Sequence, residues 1–197
     1  MYRVIIIFLV ILCFAAFTDK TTTVTETNKV CLSKEEKKLF DMINAYRATK
    51  KLPAIALSPS LTIVAQTHVK DLVENLKNPS SSKCNMHSWS SKGKWKNCCY
   101  GTDGKQASCM WSKPGELTSY KGNGYEVAHY SFPEVNATSA LEGWKNSTMG
   151  HNEVLINEGI WSIVEWHAMG VGIRGNYAVA WFGKESDTAT IKIEICK

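Results

Sequence analysis

The sequence predicts an α+β fold in which helices cover a β-sheet. Two segments near the amino terminus have apolar residues at helical spacing, and two segments near the carboxyl terminus alternate as strands do. Because the helices precede the strands instead of alternating with them, a layered α+β domain is favoured over repeated parallel crossovers. A length of 197 residues and a hydrophobic content of 44% suit one domain with a real core.

The first helix is predicted over residues 33–49. Ser33 and Glu36 have the spacing of a capping box, and the helix must end before Pro53. Its apolar positions recur at helical spacing and predict one buried face, formed by Leu39, Met42, Ile43 and Tyr46.

The second helix is predicted to begin at Ser58, which can cap it, with Pro59 at the first helical position. One apolar stripe follows, and His68 lies on it. A hydrogen-bonded core histidine is therefore favoured over a histidine at the edge of a cavity. The other members of the stripe are Leu61, Val64, Ala65, Leu72 and Leu76.

The second half of the chain predicts a third helix and two strand regions. The helix begins near residues 137–139 and ends around Ser147, with Trp144 facing inward and Gly150 marking that it has ended. Residues 168–183 form a hairpin, because Gly175 and Asn176 are a turn signal between two apolar runs. Residues 188–196 alternate, which predicts one buried face formed by Ile191, Ile193 and Ile195.

The amino terminus is typical of an export signal. Arg3 precedes an apolar run that continues without a charge to Phe17 and is short for a transmembrane helix. Residues 1–17 are therefore interpreted as a signal peptide, with an uncleaved anchor as the alternative. Residues 18–30 are rich in threonine and are interpreted as a linker, so the folded domain is predicted to span residues 31–197.

Six cysteines remain after the leader, and an even number in an exported chain predicts three disulfides. The outermost two bracket the domain and are expected to pair, and the adjacent Cys98 and Cys99 are expected to have different partners. The middle four would then cross-link residues 84–109. A cysteine zinc site is disfavoured because no paired C-x-x-C spacing occurs. The six are Cys31, Cys84, Cys98, Cys99, Cys109 and Cys196.

The net charge of +5 falls to +4 when Arg3 leaves with the leader. No nucleic-acid-binding motif accompanies this modest charge, so it indicates weak attraction to acidic surfaces and no nucleic-acid partner. Outside the leader no segment is apolar enough to cross a membrane, and we expect a monomer without a span in the mature chain.

Three polar residues lie near turns or aromatic residues: His87 in "CNMHSWS", Glu126 in "GNGYEVAHY" and His151 in "STMGHNEV". Two imidazoles and one carboxylate can bind a divalent metal, or can act as a base and the group that orients it. Their spacing in the sequence does not by itself bring them together.

The order and flanking residues of these motifs resemble the CAP superfamily, which includes cysteine-rich secretory proteins, antigen 5 and pathogenesis-related 1 proteins. The likeness covers most of residues 33–183. The pattern W-x-x-S-x-x-G-H-x-x-x-L is most similar to the bacterial-like branch. The matching segments are "NAYRATKKLPAIALSPSLTIVAQTHVKDL", "HSWS", "GYEVA", "WKNSTMGHNEVLIN", "MGVGI" and "AVAWFG".

The resemblance implies a three-layer α-β-α sandwich with a central cleft where two histidines and two glutamates gather. By match, His87 and His151 are the histidines and Glu126 is the first glutamate. The chain departs from the family where "Gly-Tyr-Glu" replaces "Gly-Glu-Asn", and where Ser147 takes the place of the second glutamate. The remaining His-His-Glu set can hold Zn with water completing the shell, and Ser147 is a candidate binding residue.

The implied role is that of a secreted protein that binds an extracellular protein, a lipid or sterol, or a divalent metal. A cysteine- and tryptophan-rich insert, residues 88–121, could then present an aromatic rim, or its rings could cover small cores beneath a long loop. The alternatives are a metal-dependent hydrolase or protease and a purely structural secreted domain. The rim candidates are Trp89, Trp95, Trp111 and Tyr120.

Two glycosylation sequons occur, at Asn136 and Asn146, and they matter in a eukaryotic secretory route. Asn146 precedes Ser147 directly, so a glycan there would crowd the expected cleft.

Overall fold

The computed structural model describes residues 29–76, 79 and 83–196. The predicted signal peptide and most of the predicted linker lie outside these residues. In chain order the elements are β1 (Lys29–Leu32), α1 (Lys34–Thr49), β2 (Ala56–Leu57), α2 (Pro59–Asn75), α3 (Ala107–Trp111), α4 (Lys113–Leu117), β3 (Gly124–Tyr130), α5 (Ala137–Lys145), α6 (His151–Ile156), a 3₁₀ turn (Gly159–Trp161), β4 (Ala168–Arg174), β5 (Tyr177–Gly183) and β6 (Lys192–Ile195).

Four strands form the central sheet in the order β2-β4-β5-β3. The predicted hairpin is confirmed, because Arg174 pairs with Tyr177 across the two-residue turn at Gly175 and Asn176. Strand β3 is antiparallel to β5, and β2 is parallel to β4. The candidate carboxylate Glu126 lies on β3 opposite Trp181 of β5.

Helices cover both faces of this sheet, which confirms the predicted three-layer α-β-α sandwich. On one face, α2 packs Leu61, Val64 and Leu72 against Val179 and Trp181. The opposite face is covered by α1, α5 and α6. Apolar side chains of these helices, including Leu39, Ile43, Leu141, Trp144 and Leu155, pack there against Val127, Met169, Val171, Ala180 and Phe182.

Two glycines let α2 lie directly on β4. A Cβ added at Gly170 would lie 2.1 Å from the carbonyl carbon of Leu61, and one at Gly172 would lie 2.6 Å from the carbonyl oxygen of Ala65. Real Cβ atoms do not approach backbone this closely, so a larger residue would push the helix away from the sheet. This close packing places the middle of α2, including His68, against the sheet.

Local sequence signals correctly predicted the three longer helices. Ser33 and Glu36 form the predicted capping box of α1, and the Ser58 hydroxyl accepts from the backbone N–H of Leu61 at the start of α2. Asn136 caps α5, which ends at Lys145, and Trp144 is fully buried as predicted. Within the described part of the chain, no helix has the length and apolarity needed to cross a membrane.

The prediction for the last strand needs correction. Strand β6 covers Lys192–Ile195 and pairs in parallel with β1 in a separate two-stranded sheet. Ile195 is 46% exposed and Ile193 is partly buried, so the expected buried isoleucine face is wrong. The reason is that β6 lies outside the central sheet. Because β1 begins at Lys29, regular structure also starts slightly before the predicted boundary at Cys31.

The cysteines agree only in part with the prediction of three disulfides. Cys31 pairs with Cys196 as predicted, and Cys84 pairs with Cys99. Cys98 and Cys109 are thiols, so the third disulfide is absent from this structure. The insert at residues 88–121 contains the short helices α3 and α4 and an antiparallel bridge between Trp89 and Cys98.

Candidate functional site

Glu126 is the centre of a buried polar cluster. It is 6% exposed, and its two carboxylate oxygens contact different histidines. His68 Nδ1 lies 2.5 Å from Oε1, and His87 Nδ1 lies 2.8 Å from Oε2. The structure therefore brings Glu126 and His87 together and adds His68 from α2, which the motif comparison did not include.

His68 is a hydrogen-bonded core histidine, as the sequence favoured. Its ring is stacked on Trp89 with centroids 4.2 Å apart, and its Nε2 lies 3.0 Å from the carbonyl oxygen of Ser88. Because a carbonyl oxygen can only accept, Nε2 carries a hydrogen. The contact between His68 Nδ1 and Glu126 Oε1 then requires a hydrogen on one of these two atoms. The sequence signal for this role was a polar residue on an otherwise apolar helical stripe.

The charge on Glu126 is stabilised by these contacts. Burial by itself raises the pKa of the Glu126 carboxyl, but the charges and hydrogen bonds of His68 and His87 outweigh it and hold the pKa below its usual value. As a carboxylate, Glu126 accepts a hydrogen bond from the Nδ1–H of His87. That tautomer leaves the lone pair of His87 on Nε2.

His151 is the first residue of α6, and the residue before it adopts a left-handed conformation. Gly150 has φ of +80°, which favours glycine. The sequence interpretation took Gly150 as the sign that the third helix had ended, but α5 ends earlier and Gly150 starts the next helix. This turn places the His151 ring with its centroid 6.0 Å from that of His87.

The two histidines offer unengaged ring nitrogens. Within the described part of the chain, three ring nitrogens make no hydrogen bond to the protein. They are both nitrogens of His151 and Nε2 of His87. Burial, with smaller effects of His87 and His129, lowers the pKa of His151 to about 4 against the opposing effect of Glu126. At neutral pH the His151 ring is therefore neutral and can donate a lone pair.

These histidines open into a cleft of about 510 Å³. Aromatic side chains form much of its wall, and Met149 and Ile160 line it while remaining 78% and 80% exposed. The cleft is therefore apolar around a polar pair of imidazoles. The aromatic residues are Tyr100, Trp111, Tyr125 and Trp161, of which Trp111 was predicted as a contact residue.

The other three predicted rim residues pack within the insert and do not line the cleft. Trp89 and Tyr120 are buried, and the Tyr120 hydroxyl donates to the carbonyl oxygen of Glu185 at 2.5 Å. Trp95 packs edge-on against Trp89, and its indole N–H donates to the carbonyl oxygen of Ser90. This packing agrees with the alternative interpretation, in which the rings cover a small core.

Ser147 lies in the turn after α5 and not in the aromatic cleft. Its hydroxyl accepts from the backbone N–H of Met149 at 3.1 Å, and it lines a neighbouring pocket that also reaches His151. Among the described residues no hydrogen bond joins Ser147 to His151. The sequon asparagines lie at the two ends of α5, where Asn136 is the N-cap and Asn146 the C-cap.

The residues present fit a metal only as a two-histidine site. Among described residues, no group of three or more His, Cys, Asp and Glu side chains could hold an ion. A ring bound to tetrahedral zinc has its centroid roughly 3 Å from the ion, which puts two such centroids about 5 Å apart. The rings of His87 and His151, at 6.0 Å, would therefore have to approach by about 1 Å to share one ion. Both oxygens of Glu126 are engaged, which makes it the residue that orients His87 and not a ligand.

Comparison with known proteins agrees with this fold. Residues 40–163 match the family model described as CAP, the cysteine-rich secretory protein family. The chain belongs to the CAP family. No curated protein matches the sequence of this CAP-domain chain.

Solved structures of two bacterial proteins share this fold. An extracellular protein containing an SCP domain from Bacillus anthracis shares 21% identity at a TM-score of 0.52, covering 77% of this chain and 40% of that one. An outer surface protein from Borrelia burgdorferi shares 18% identity at a TM-score of 0.51, covering 77% of this chain and 94% of that one. This chain thus spans less than half of the first protein and nearly all of the second.

Proposed function

We propose that this CAP-domain protein acts outside the cell as a binding protein, and that its cleft holds a divalent ion of the zinc class between His87 and His151. The observation that carries this proposal is the pair of imidazoles with unengaged nitrogens facing one cleft. Imidazole nitrogen is a preferred zinc ligand.

An extracellular location is supported by three features. Two disulfides lie within the described residues, and disulfides persist in oxidising compartments. It begins with an apolar segment typical of an export signal, and two proteins of the same fold are described as extracellular and as an outer surface protein. On the basis of these three features, the proposal includes an extracellular location for this chain.

Glu126 prepares the site before any ion arrives. By accepting from Nδ1–H of His87, it holds the ring so that Nε2 carries the lone pair. His68 anchors the other carboxylate oxygen, and the stacked Trp89 keeps His68 in place. A bound ion would supply a positive anchor for an oxygen or nitrogen of a second ligand lying in the aromatic cleft.

Isothermal titration calorimetry with zinc at neutral pH tests the proposal. Wild-type protein should bind one ion, and His87→Ala or His151→Ala should abolish the heat because each removes one of two protein ligands. Glu126→Gln should weaken binding by about 10–100-fold, the usual effect of losing a group that orients a ligand.

The control is His167→Ala, which removes a half-exposed histidine that does not line the cleft. It should bind zinc as the wild type does. Absence of heat with folded wild-type protein would refute the metal proposal, and unchanged binding by both cleft variants would locate the ion elsewhere.

A lipid or sterol is the second candidate ligand, favoured by the exposed apolar side chains along the cleft. Met149 and Ile160 are largely exposed beside the aromatic wall, where they could contact an apolar ligand. A fluorescent sterol should lose at least several-fold in affinity when Trp111 or Ile160 becomes alanine. Trp95→Ala is the matched control, because Trp95 packs against Trp89 and does not line the cleft. Equal loss in all three variants would argue against binding in the cleft.

A further inference from the structure

Two thiols in the insert are neighbours without being bonded. Cys98 is 4% exposed and lies in the antiparallel bridge with Trp89, while Cys109 lies in α3 and is partly buried. The adjacent Cys99 is already bonded to Cys84.

These two cysteines lie close together. The Sγ of Cys109 lies 3.9 Å from the carbonyl oxygen of Lys96, two residues before Cys98. The Sγ of Cys109 also lies 3.7 Å from the carbonyl oxygen of Asn97, the residue bonded to the backbone nitrogen of Cys98. These contacts place the Cys109 thiol beside the backbone that leads into Cys98, and Cys109 is also close enough to affect the pKa of the Cys98 thiol.

We propose that Cys98 and Cys109 form a redox-responsive dithiol, which a small disulfide oxidant such as oxidised glutathione converts into a third disulfide of the domain. This inference does not depend on metal or lipid binding. It concerns a site outside the histidine cleft, and it assigns a function to the two cysteines that the existing disulfides leave over.

The reaction balances through two thiol–disulfide exchanges. The Cys109 thiolate attacks the oxidant's disulfide, forming a mixed disulfide and releasing one glutathione thiolate. The Cys98 thiolate then attacks the Cys109 sulfur, forming the Cys98–Cys109 bond and releasing the second glutathione. The two cysteine protons pass through solvent to the two glutathione thiolates, and the oxidant receives both electrons.

The different burial of the two thiols sets this order. Burial, followed by the hydrogen bond and charge interaction with Cys109, raises the pKa of Cys98 to about 12 even though the nearby Lys113 lowers it. Cys109 is more exposed and can meet the oxidant first. Cys98 reacts once the neighbouring sulfur has become part of a mixed disulfide.

The new bond would fix part of the cleft wall. Cys109 is followed directly by Met110 and Trp111 in α3, and both line the cleft. Bonding Cys109 to the strand-like segment beside Cys84–Cys99 would hold α3 against the rest of the insert. Oxidation is therefore expected to reduce motion of the Trp111 side of the cleft.

Peptide mapping of the full chain with and without oxidised glutathione tests the proposal. Oxidised wild-type protein should lose the two thiol hydrogens and yield three linked peptides, in which Cys98 is joined to Cys109 while Cys99 stays joined to Cys84. Electron-transfer fragmentation cleaves between Cys98 and Cys99 and so distinguishes this link from an exchanged Cys99–Cys109 link. Cys13 falls in a separate peptide and does not affect the assignment.

Cys109→Ser and Cys98→Ser are matched variants, each retaining one of the two thiols. Neither should show the mass loss, and Cys109→Ser should take up glutathione more slowly than Cys98→Ser because its remaining thiol is buried. The proposal fails if both wild-type thiols stay reduced, if each carries a separate glutathione, or if Cys109 is found bonded to Cys99.

Discussion

At the scale of single residues, the site depends on how one carboxylate is shared. Glu126 is buried, which alone would disfavour its charge, but each of its oxygens contacts a histidine. One contact anchors the carboxylate to the core through His68, and the other directs His87 into the cleft. The polar cluster is therefore structural on one side and available to a ligand on the other.

The charge state of His151 gives a prediction at this scale. The pKa of His151 is lowered from 6.5 to about 4, so its ring signals in nuclear magnetic resonance should titrate with a midpoint near pH 4. Between these two values the unfolded chain binds a proton at this ring that the folded chain does not. His151 therefore makes the free energy of unfolding rise as pH increases from about 4 to 6.5. The same amount of stability is lost when pH falls from 6.5 to about 4.

Urea unfolding at several pH values within the window measures this effect. His151→Gln should flatten part of the pH dependence, whereas His167→Gln, which removes a half-exposed histidine outside the cleft, serves as the control. A ring that titrates near its ordinary value would contradict the expected burial of His151.

At the scale of elements, the packing of α2 on β4 positions the site. His68 reaches Glu126 because the helix lies directly on a strand whose glycines offer no Cβ. Local sequence predicted the helix itself, through Ser58, Pro59 and the apolar stripe. The short helices α3 and α4 were missed because five-residue helices carry too few turns to show a periodicity.

Gly172→Ala tests this contact. The added Cβ would lie 2.6 Å from the Ala65 carbonyl oxygen, so helix and strand must separate, and we expect a loss of about 1–3 kcal/mol in the free energy of unfolding by urea denaturation. Gly115→Ala is the control, because its Cβ would approach nothing closer than 3.6 Å. Equal stability of the two variants would show that α2 can move without cost.

At the scale of the whole molecule, distant segments meet in the cleft. His87 directly precedes the insert, Glu126 lies on β3 at one edge of the central sheet, and His151 is at the start of α6. Family likeness predicted these three residues but not their division of roles, since Glu126 orients His87 instead of standing free as a ligand. No sequence motif predicted that Tyr100 and Trp161 line the cleft, because only chain folding brings their segments beside the histidines.

The sequence by itself determined the layered fold, its three longer helices and the hairpin, because caps, turns and apolar periodicity act locally. It also predicted the Cys31–Cys196 disulfide, because these two cysteines bracket the domain. Tertiary structure alone decided which rings are buried within the insert, which histidines share Glu126, and that Cys109 lies beside the segment leading into Cys98. The physical reason is distance along the chain. Burial, hydrogen-bond partners and thiol contacts depend on segments that meet only when the layers pack together.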